Sequence, residues 1–423
     1  MCADGSDTVE AARGLPRLKE FSGRKILLLQ GPVGPFFRRL AQDLKKHGAE
    51  ILKINFNGGD RLFYSGETLA YRGTLADWPD FFTDAISRYD IDTIVLYGDA
   101  RPIHDAAITI AQQKGLDVFT FEEGYLRPDF VTLERGRSNA YAQIPKDPAF
   151  YMSLPAPEEE EGRSRPVGYT FNHLMLWGGL YHAAITAAAP LHPSHTYHRG
   201  QGAAELPAQL RSLWRRQKAF FLERDMTNRL CGHLAGRFFF VPLQVAIDSQ
   251  VLRHSPFGRY GEKGVARFIE TVLRSFAEHA PKDHVLVFKH HPMDRGYVHY
   301  GALIEKCVRE TGLKGRVYYT HMLPLPPLLE KAAGTVVINS TVGLSAIYHG
   351  SPVKVLGDAI YDMPGLTAQS DLDTFWTTAT DQRPDADLAL RFRSYLIRTR
   401  QINGSFYRRL PDSPLACGLN WPA

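Results

Sequence analysis

Along this chain, short unbroken apolar runs alternate with longer stretches in which apolar residues recur every three or four positions. The runs "KILLLQ" (25–30), "EILKINF" (50–56), "TIVLYG" (93–98) and "LDVFTF" (116–121) read as strands buried on both faces. Between the first two, "PFFRRLAQDLKKHG" (35–48) puts Phe36, Leu40 and Leu44 on one side and stops at Gly48. That is a helix with proline in its first turn and lysines near its end. A further helix follows "DARPIH" and ends at Gly115. Strands alternating with helices predict parallel βαβ units, which bind ligands at the C-terminal ends of their strands. The loops leaving those ends are "QGPVG", "NFNGGD", "YGDARP" and "EEGYLRPD". They bring Gln30, Gly31, Asn57, Glu122 and Glu123 to the rim of the expected crevice.

The pattern breaks after Ile144. "KDPAFYMSLPAPEEEEGRSRP" (146–166) is rich in proline and charge and reads as a linker, with a solvated acid run at 158–161. Residues 169–232 read as helical. Within them "LMLWGGLYHAAITAAAPL" (174–191) carries no full charge but falls short of the ~20 residues of a spanning helix, so a buried or interfacial helix is expected. "ELPAQLRSLWRRQKAFF" (205–221) gathers Leu206, Leu210, Leu213, Trp214 and Phe220 on one stripe, with Arg211, Arg215, Arg216 and Lys218 around it. The stripe packs on the protein's own core or lies on a membrane surface. From Arg237 the alternation resumes: strands at "RFFFVPL", "HVLVFKH", "RVYYT", "TVVINS" and "PVKVLG", helices between them, and a last helix over "DADLALRFRSYLIRTRQI".

The expected organisation is therefore a flexible N-terminus (1–23), a Rossmann-like acceptor-side domain (24–165), a helical segment (166–234), a second Rossmann-like domain (235–380), and a C-terminal helix and tail (381–423). The fold class is α/β and GT-B-like: two doubly wound domains facing a central cleft, with a helical middle. Glycosyltransferases, epimerases and binding proteins share that architecture, so it names no reaction.

Composition narrows the partners. A net charge of +5 suits a phosphate-bearing ligand or an anionic membrane surface, and nothing resembles a nucleic-acid-binding signature. Cys2, Cys231, Cys307 and Cys417 are far apart and never form a CxxC pair, which predicts free thiols in a reducing cytosol. The acidic N-terminal stretch lacks the apolar core of a secretory signal.

Candidate chemistry lies at the strand ends. In "VINSTVGLSA" a strand gives way to a helix through Asn339, Ser340 and Thr341, and unpaired amides at a helix start welcome a phosphate. Plain N-capping is the simpler account of the same residues. In "FKHHPMD", Lys289 adds charge and Pro292 holds His291 extended, so that His291 rather than His290 faces the ligand. In "EEG", adjacent side chains on an extended segment point to opposite sides. One of Glu122 and Glu123 then meets the ligand while the other holds the loop or an arginine such as Arg127, unless both are merely solvated acids of a turn. A carboxylate there serves as base or nucleophile. Asp248 in "QVAIDSQV" is a second candidate acid, with Gln244 beside it. His104 reads as a satisfied loop histidine, and His192, His195 and His198 as a polar loop rather than a metal site. No DxD motif ends a strand, so no metal or other cofactor is expected.

Taken together, "LLLQGPVGPFFRRLAQDL", "KINFNGGDRLFY", "FEEGYLRPDFVTLE", "FFVPLQVAIDSQV", "KHHPMD" and "INSTVG" resemble the bacterial capsule polysaccharide synthesis family of KpsS/LipB type, over about residues 25–365. The resemblance implies a retaining GT-B Kdo transferase that moves Kdo from CMP-β-Kdo to lyso-phosphatidylglycerol. It implies a peripheral enzyme on the cytoplasmic face of the inner membrane, where the β-Kdo linker of capsule polymer is begun. A KpsC-type transferase and the capsule export machinery are the implied partners. Bacterial sialyltransferases, which also use CMP sugars, share an acidic-acidic-glycine motif and a His-Pro motif. By that likeness Glu122 and Glu123 are catalytic, with Glu123 favoured, and His291, Ser340 and Thr341 grip CMP. A nucleotide-sugar epimerase and a non-catalytic export or scaffold subunit are the alternatives.

Overall fold

A computed structural model describes residues 14–157, 164–192 and 202–422. The acid run at 158–161, His195, His198 and Cys2 lie outside the described residues. The strands are β1 Lys25–Leu28, β2 Glu50–Asn55, β3 Thr68–Ala70, β4 Thr93–Tyr97, β5 Asp117–Glu123, β6 Phe130–Arg135, β7 Phe238–Pro242, β8 Val285–Lys289, β9 Val317–Thr320, β10 Gly334–Val337, β11 Val353–Val355 and β12 Gln401–Asn403. The chain forms two compact α/β units. The first takes the described residues up to Gln143, those from 164 to Leu206, and those from Ser394 onward; the second takes Ile144–Pro157 and Pro207–Arg393.

The first unit holds a seven-stranded sheet in the order β12-β6-β5-β4-β1-β2-β3. β1 to β5 run parallel, while β6 pairs antiparallel with both β5 and β12. Successive side chains of a strand face opposite sides, so the sheet carries two cores. Ile26 and Leu28 pack with Phe36, Phe121 and Phe406, whereas Leu27 and Leu29 pack with Trp78, Phe82 and Ile103. The helix Phe36–Lys46 buries Phe36, Phe37, Leu40, Ala41 and Leu44, as its spacing predicts. The second unit holds a fully parallel sheet in the order β11-β10-β7-β8-β9, and β7 is buried along its whole length. Its core gathers Phe239, Phe276, Phe375 and Trp376 with the apolar face of the helix Gly264–His279. Two Rossmann-type sheets are thus present, as the alternation of runs and periodic stretches predicts.

Two expectations become more specific. The helix Ala386–Thr399 is not the end of the ordered chain, because it leads back into the first unit as β12. The uncharged stretch expected to be buried or interfacial forms the helix Phe171–Ala188, in which Tyr181 alone is buried. With the following turn to Leu191 it is long and apolar enough to cross a membrane. It rests on the first unit along one side, where glycines let the backbones approach. A Cβ on Gly58 would lie 2.3 Å from the Ala184 carbonyl oxygen, and one on Gly59 2.4 Å from the Tyr181 ring. The opposite side exposes Phe171, Met175, Leu176 and Leu180.

Candidate active site

In a doubly wound sheet, loops diverge where the strand order reverses, and ligands bind at that switch point. In the first unit the reversal falls between β1 and β4. Gln30, just past β1, is buried there and accepts a 2.6 Å hydrogen bond from Arg101 Nη1 beyond β4. The Gln30 amide nitrogen donates to Tyr181 Oη at 3.1 Å and Asp60 Oδ2 at 3.3 Å. Asn57 caps the helix Gly58–Phe63 by accepting from Asp60 N at 2.9 Å, and donates to Tyr181 Oη at 2.9 Å. Gly31 lies where a Cβ would come within 2.8 Å of the Phe37 ring. The switch point is therefore floored by a rigid polar network.

The paired glutamates end β5, next to β4. Glu123 Oε1 accepts hydrogen bonds from Tyr407 at 2.8 Å and Tyr97 at 3.2 Å. Burial raises the pKa of both tyrosines well above the ordinary value, so both remain protonated donors. Glu122 Oε1 accepts the Glu123 backbone N–H at 3.0 Å. A Cβ placed on Gly98 would lie 3.6 Å from Glu122 Oε2 and 3.8 Å from Arg101 Nε, so these two side chains flank that glycine. Burial pushes the Glu122 carboxyl up to about 7; Glu123 and Asp99 add to the rise, against the Glu123 N–H and Arg101. A half-buried carboxyl balanced near neutrality is suited to proton transfer.

The Gly124 of "EEG" is required by space. A Cβ there would lie 2.3 Å from the Phe130 carbonyl oxygen. β12 fastens the same turn: the Gln401 amide accepts from Leu126 N at 3.2 Å and donates to Thr132 Oγ1 at 2.8 Å. Arg127 is exposed and donates to the Gly124 carbonyl, so the arginine beside the glutamates is Arg101. Sequence reasoning passed over Arg101, although the polar "DARP" loop after a strand was a signal for it. Tyr97 and Tyr407 carried none.

The second unit repeats the design. Its order reverses between β7 and β10, and there Gln244 donates to Asn339 Oδ1 at 3.0 Å and accepts from Asn339 N at 3.3 Å. The Asn339 amide nitrogen also bonds the carbonyls of Gln250 and His254, so this side chain braces the loop. Asp248 caps the helix Ser249–Arg253, accepting from Gln250 N at 2.9 Å, with Gln244 3.4 Å from its other oxygen. Ser340 caps the helix Thr341–Tyr348 by accepting from Val342 N at 3.2 Å, and this helix starts at the C-terminal edge of the sheet. Lys289 ends β8 at the same edge, with β7 between β8 and β10, hence about 10 Å across at ordinary strand spacing. His290 turns inward, buried, its Nδ1 2.8 Å from Tyr319 Oη. His291 faces outward, half-buried, its Nδ1 accepting from Met293 N at 3.2 Å. That bond leaves the ring proton on Nε2, a donor for a phosphate oxygen. His104, buried, bonds the Gly98 carbonyl. Among the described residues no group of three or more His, Cys, Asp or Glu side chains forms a metal cage.

A family model described as capsule polysaccharide biosynthesis protein matches residues 92–407. The capsule polysaccharide export protein KpsS of Escherichia coli is 39% identical over 394 residues, 91% of this chain and 97% of that protein. The capsule polysaccharide modification protein LipB of Neisseria meningitidis serogroup A is 39% identical over 396 residues, 92% of this chain and 93% of that protein. Among solved structures, the KpsC β-Kdo 2,7 transferase of Thermosulfurimonas dismutans aligns with 88% of this chain and 90% of its own, at 13% identity and a TM-score of 0.40.

Proposed function

Because the chain belongs to the capsule polysaccharide biosynthesis protein family, we propose that it is a glycosyltransferase moving Kdo from CMP-β-Kdo to a lysophospholipid, lyso-phosphatidylglycerol, to begin the β-Kdo linker of a capsular polysaccharide. The observation that carries this reading is Glu122, a half-buried carboxyl held near neutrality at the end of β5. In the reaction the bond between the Kdo anomeric carbon and the CMP phosphate oxygen breaks, and a bond to the acceptor hydroxyl oxygen forms. The hydroxyl proton passes to the carboxylate, and CMP leaves. We assign the proton transfer to Glu122 rather than Glu123. Glu123 is already held by two phenol donors, and its part is to keep the strand end and its negative field in place. The Arg101 guanidinium, anchored by Gln30, offers charge for the Kdo carboxylate.

In the second unit, the amides at Ser340 and Thr341, the His291 imidazole and the Lys289 ammonium would take the single phosphate of CMP. A monophosphate leaving group needs no resident metal, so none is invoked. The lipid acceptor implies work on the cytoplasmic face of the inner membrane, beside a KpsC-type enzyme that extends the linker.

Purified protein incubated with CMP-β-Kdo and lyso-phosphatidylglycerol is expected to yield a Kdo-bearing lipid and CMP in equal amounts by mass spectrometry. Glu122→Gln lowers turnover by about 10²–10⁴-fold while CMP still binds. No product from the wild-type protein overturns the reading, and an active Glu122→Gln removes that residue from the chemistry. His291→Ala is expected to weaken CMP binding; unchanged affinity by calorimetry would take His291 out of the donor site.

A further inference from the structure

We propose that the helix Leu206–Leu222 is a docking element that lies flat on an anionic lipid surface. At 3.6 residues per turn, Leu206, Leu210, Leu213, Trp214, Phe220 and Phe221 fall within an arc of about 120°. All six are exposed, Leu210 and Phe221 at 67% and Trp214 at 62%. The opposite side is committed to the second unit. Ala208 and Ala219 are buried, and a Cβ on Gly296 would lie 2.2 Å from the Ala208 carbonyl oxygen. Arg215 Nη1 donates to the carbonyls of Arg295 at 2.6 Å and Val298 at 3.1 Å. The apolar stripe therefore points outward because the inner side is already pinned.

Charge selects the occupant. Arg211 and Lys218 border one edge of the stripe and Arg216 the other, and the helix contains no acidic residue. The next acid, Glu223, is taken by the backbone amides of His321 and Met322, both at 2.8 Å. A second copy of the same helix would bring these cations face to face. An anionic bilayer accepts the apolar stripe among its acyl chains and pairs the cations with phosphates at headgroup depth. The inference deepens the lipid-acceptor reading and rests on it only for its purpose, which is to hold the enzyme at the surface that contains its acceptor.

The test uses the full chain in flotation with vesicles of mixed phosphatidylglycerol and phosphatidylcholine, or of phosphatidylcholine alone. Wild-type protein is expected to float with the mixed vesicles and less with the neutral ones. Leu210→Gln/Trp214→Gln/Phe221→Gln is expected to lose at least about tenfold in partition to both. Arg211→Gln/Arg216→Gln/Lys218→Gln is expected to lose roughly fivefold per charge on the mixed vesicles only. Unchanged thermal unfolding of both variants shows that folding is intact. Turnover of a water-soluble short-chain lysophospholipid should match wild type in the apolar variant. Failure of the wild type to float, or undiminished flotation of the apolar variant, overturns the proposal. So does a wild-type dimer that the apolar variant turns into a monomer without a change in flotation. A wild type that floats but transfers nothing leaves the docking element standing and removes the transferase reading.

Discussion

Glu122 shows how a single residue acquires its chemistry from neighbours. In an unfolded chain its carboxyl titrates in the ordinary range; in the folded protein, burial raises it to about 7. Between those values the native state binds a proton that the unfolded chain does not, so Glu122 costs stability as pH rises through that window and costs nothing extra below it. Glu122→Gln is therefore expected to stabilise the protein by up to about 3 kcal/mol at pH 8 and to change little at pH 4, read from urea unfolding midpoints. A stabilisation equal at both pH values would point to packing instead of charge. A carboxylate that accepts the acceptor proton works only when ionised, so turnover should rise with pH through about 7. The acids of "EEG" and the histidines of "KHHP" were visible as residue types. The protonation state was not, because it depends on Asp99, Arg101 and burial together.

At the scale of elements, the hairpin β5–β6 and the strand β12 form one device. Glu122 and Glu123 pair with Thr132 and Val131 on β6, and Gln401 on β12 reaches over both the turn and Thr132. Arg400 Nε, 2.7 Å from Oε2 of the buried Glu134, braces the same edge. Gly124→Ala forces a methyl against the Phe130 carbonyl and is expected to cost about 1–3 kcal/mol or more, with loss of turnover, measured by denaturant unfolding and the mass-spectrometric assay. An unchanged midpoint would mean that the turn has room to relax. The apolar runs announced β1, β2, β4, β5 and the strands of the second unit, because strands buried on both faces need continuous apolar sequence. β3, β6 and β12 escaped notice. β3 and β12 span three residues each, and β6 carries Thr132 and Glu134, whose burial is made tolerable by partners far along the chain.

For the whole molecule, the division into two units predicts that damage stays local. Removing residues 401–423 takes away β12 and Tyr407, both of which serve the first unit. Hydrogen exchange should then show lost protection across β5 and β6 with β7 to β11 still protected. Equal loss in both sheets would mean that the units fold as one cooperative block.

Local physics written into consecutive residues determined the two α/β halves and the capped helix start at Ser340, whereas the need for glycine at 124 comes from the close approach of the Phe130 carbonyl. Apolar periodicity and capping act over a few positions and can be read directly. Tertiary structure decided that Arg101 rather than Arg127 accompanies the glutamates, that Tyr407 returns from the far end of the chain to hold Glu123, and that the stripe of the helix Leu206–Leu222 faces outward. Each depends on which distant segments share a surface, and hydrophobic burial along the chain does not encode that pairing by itself.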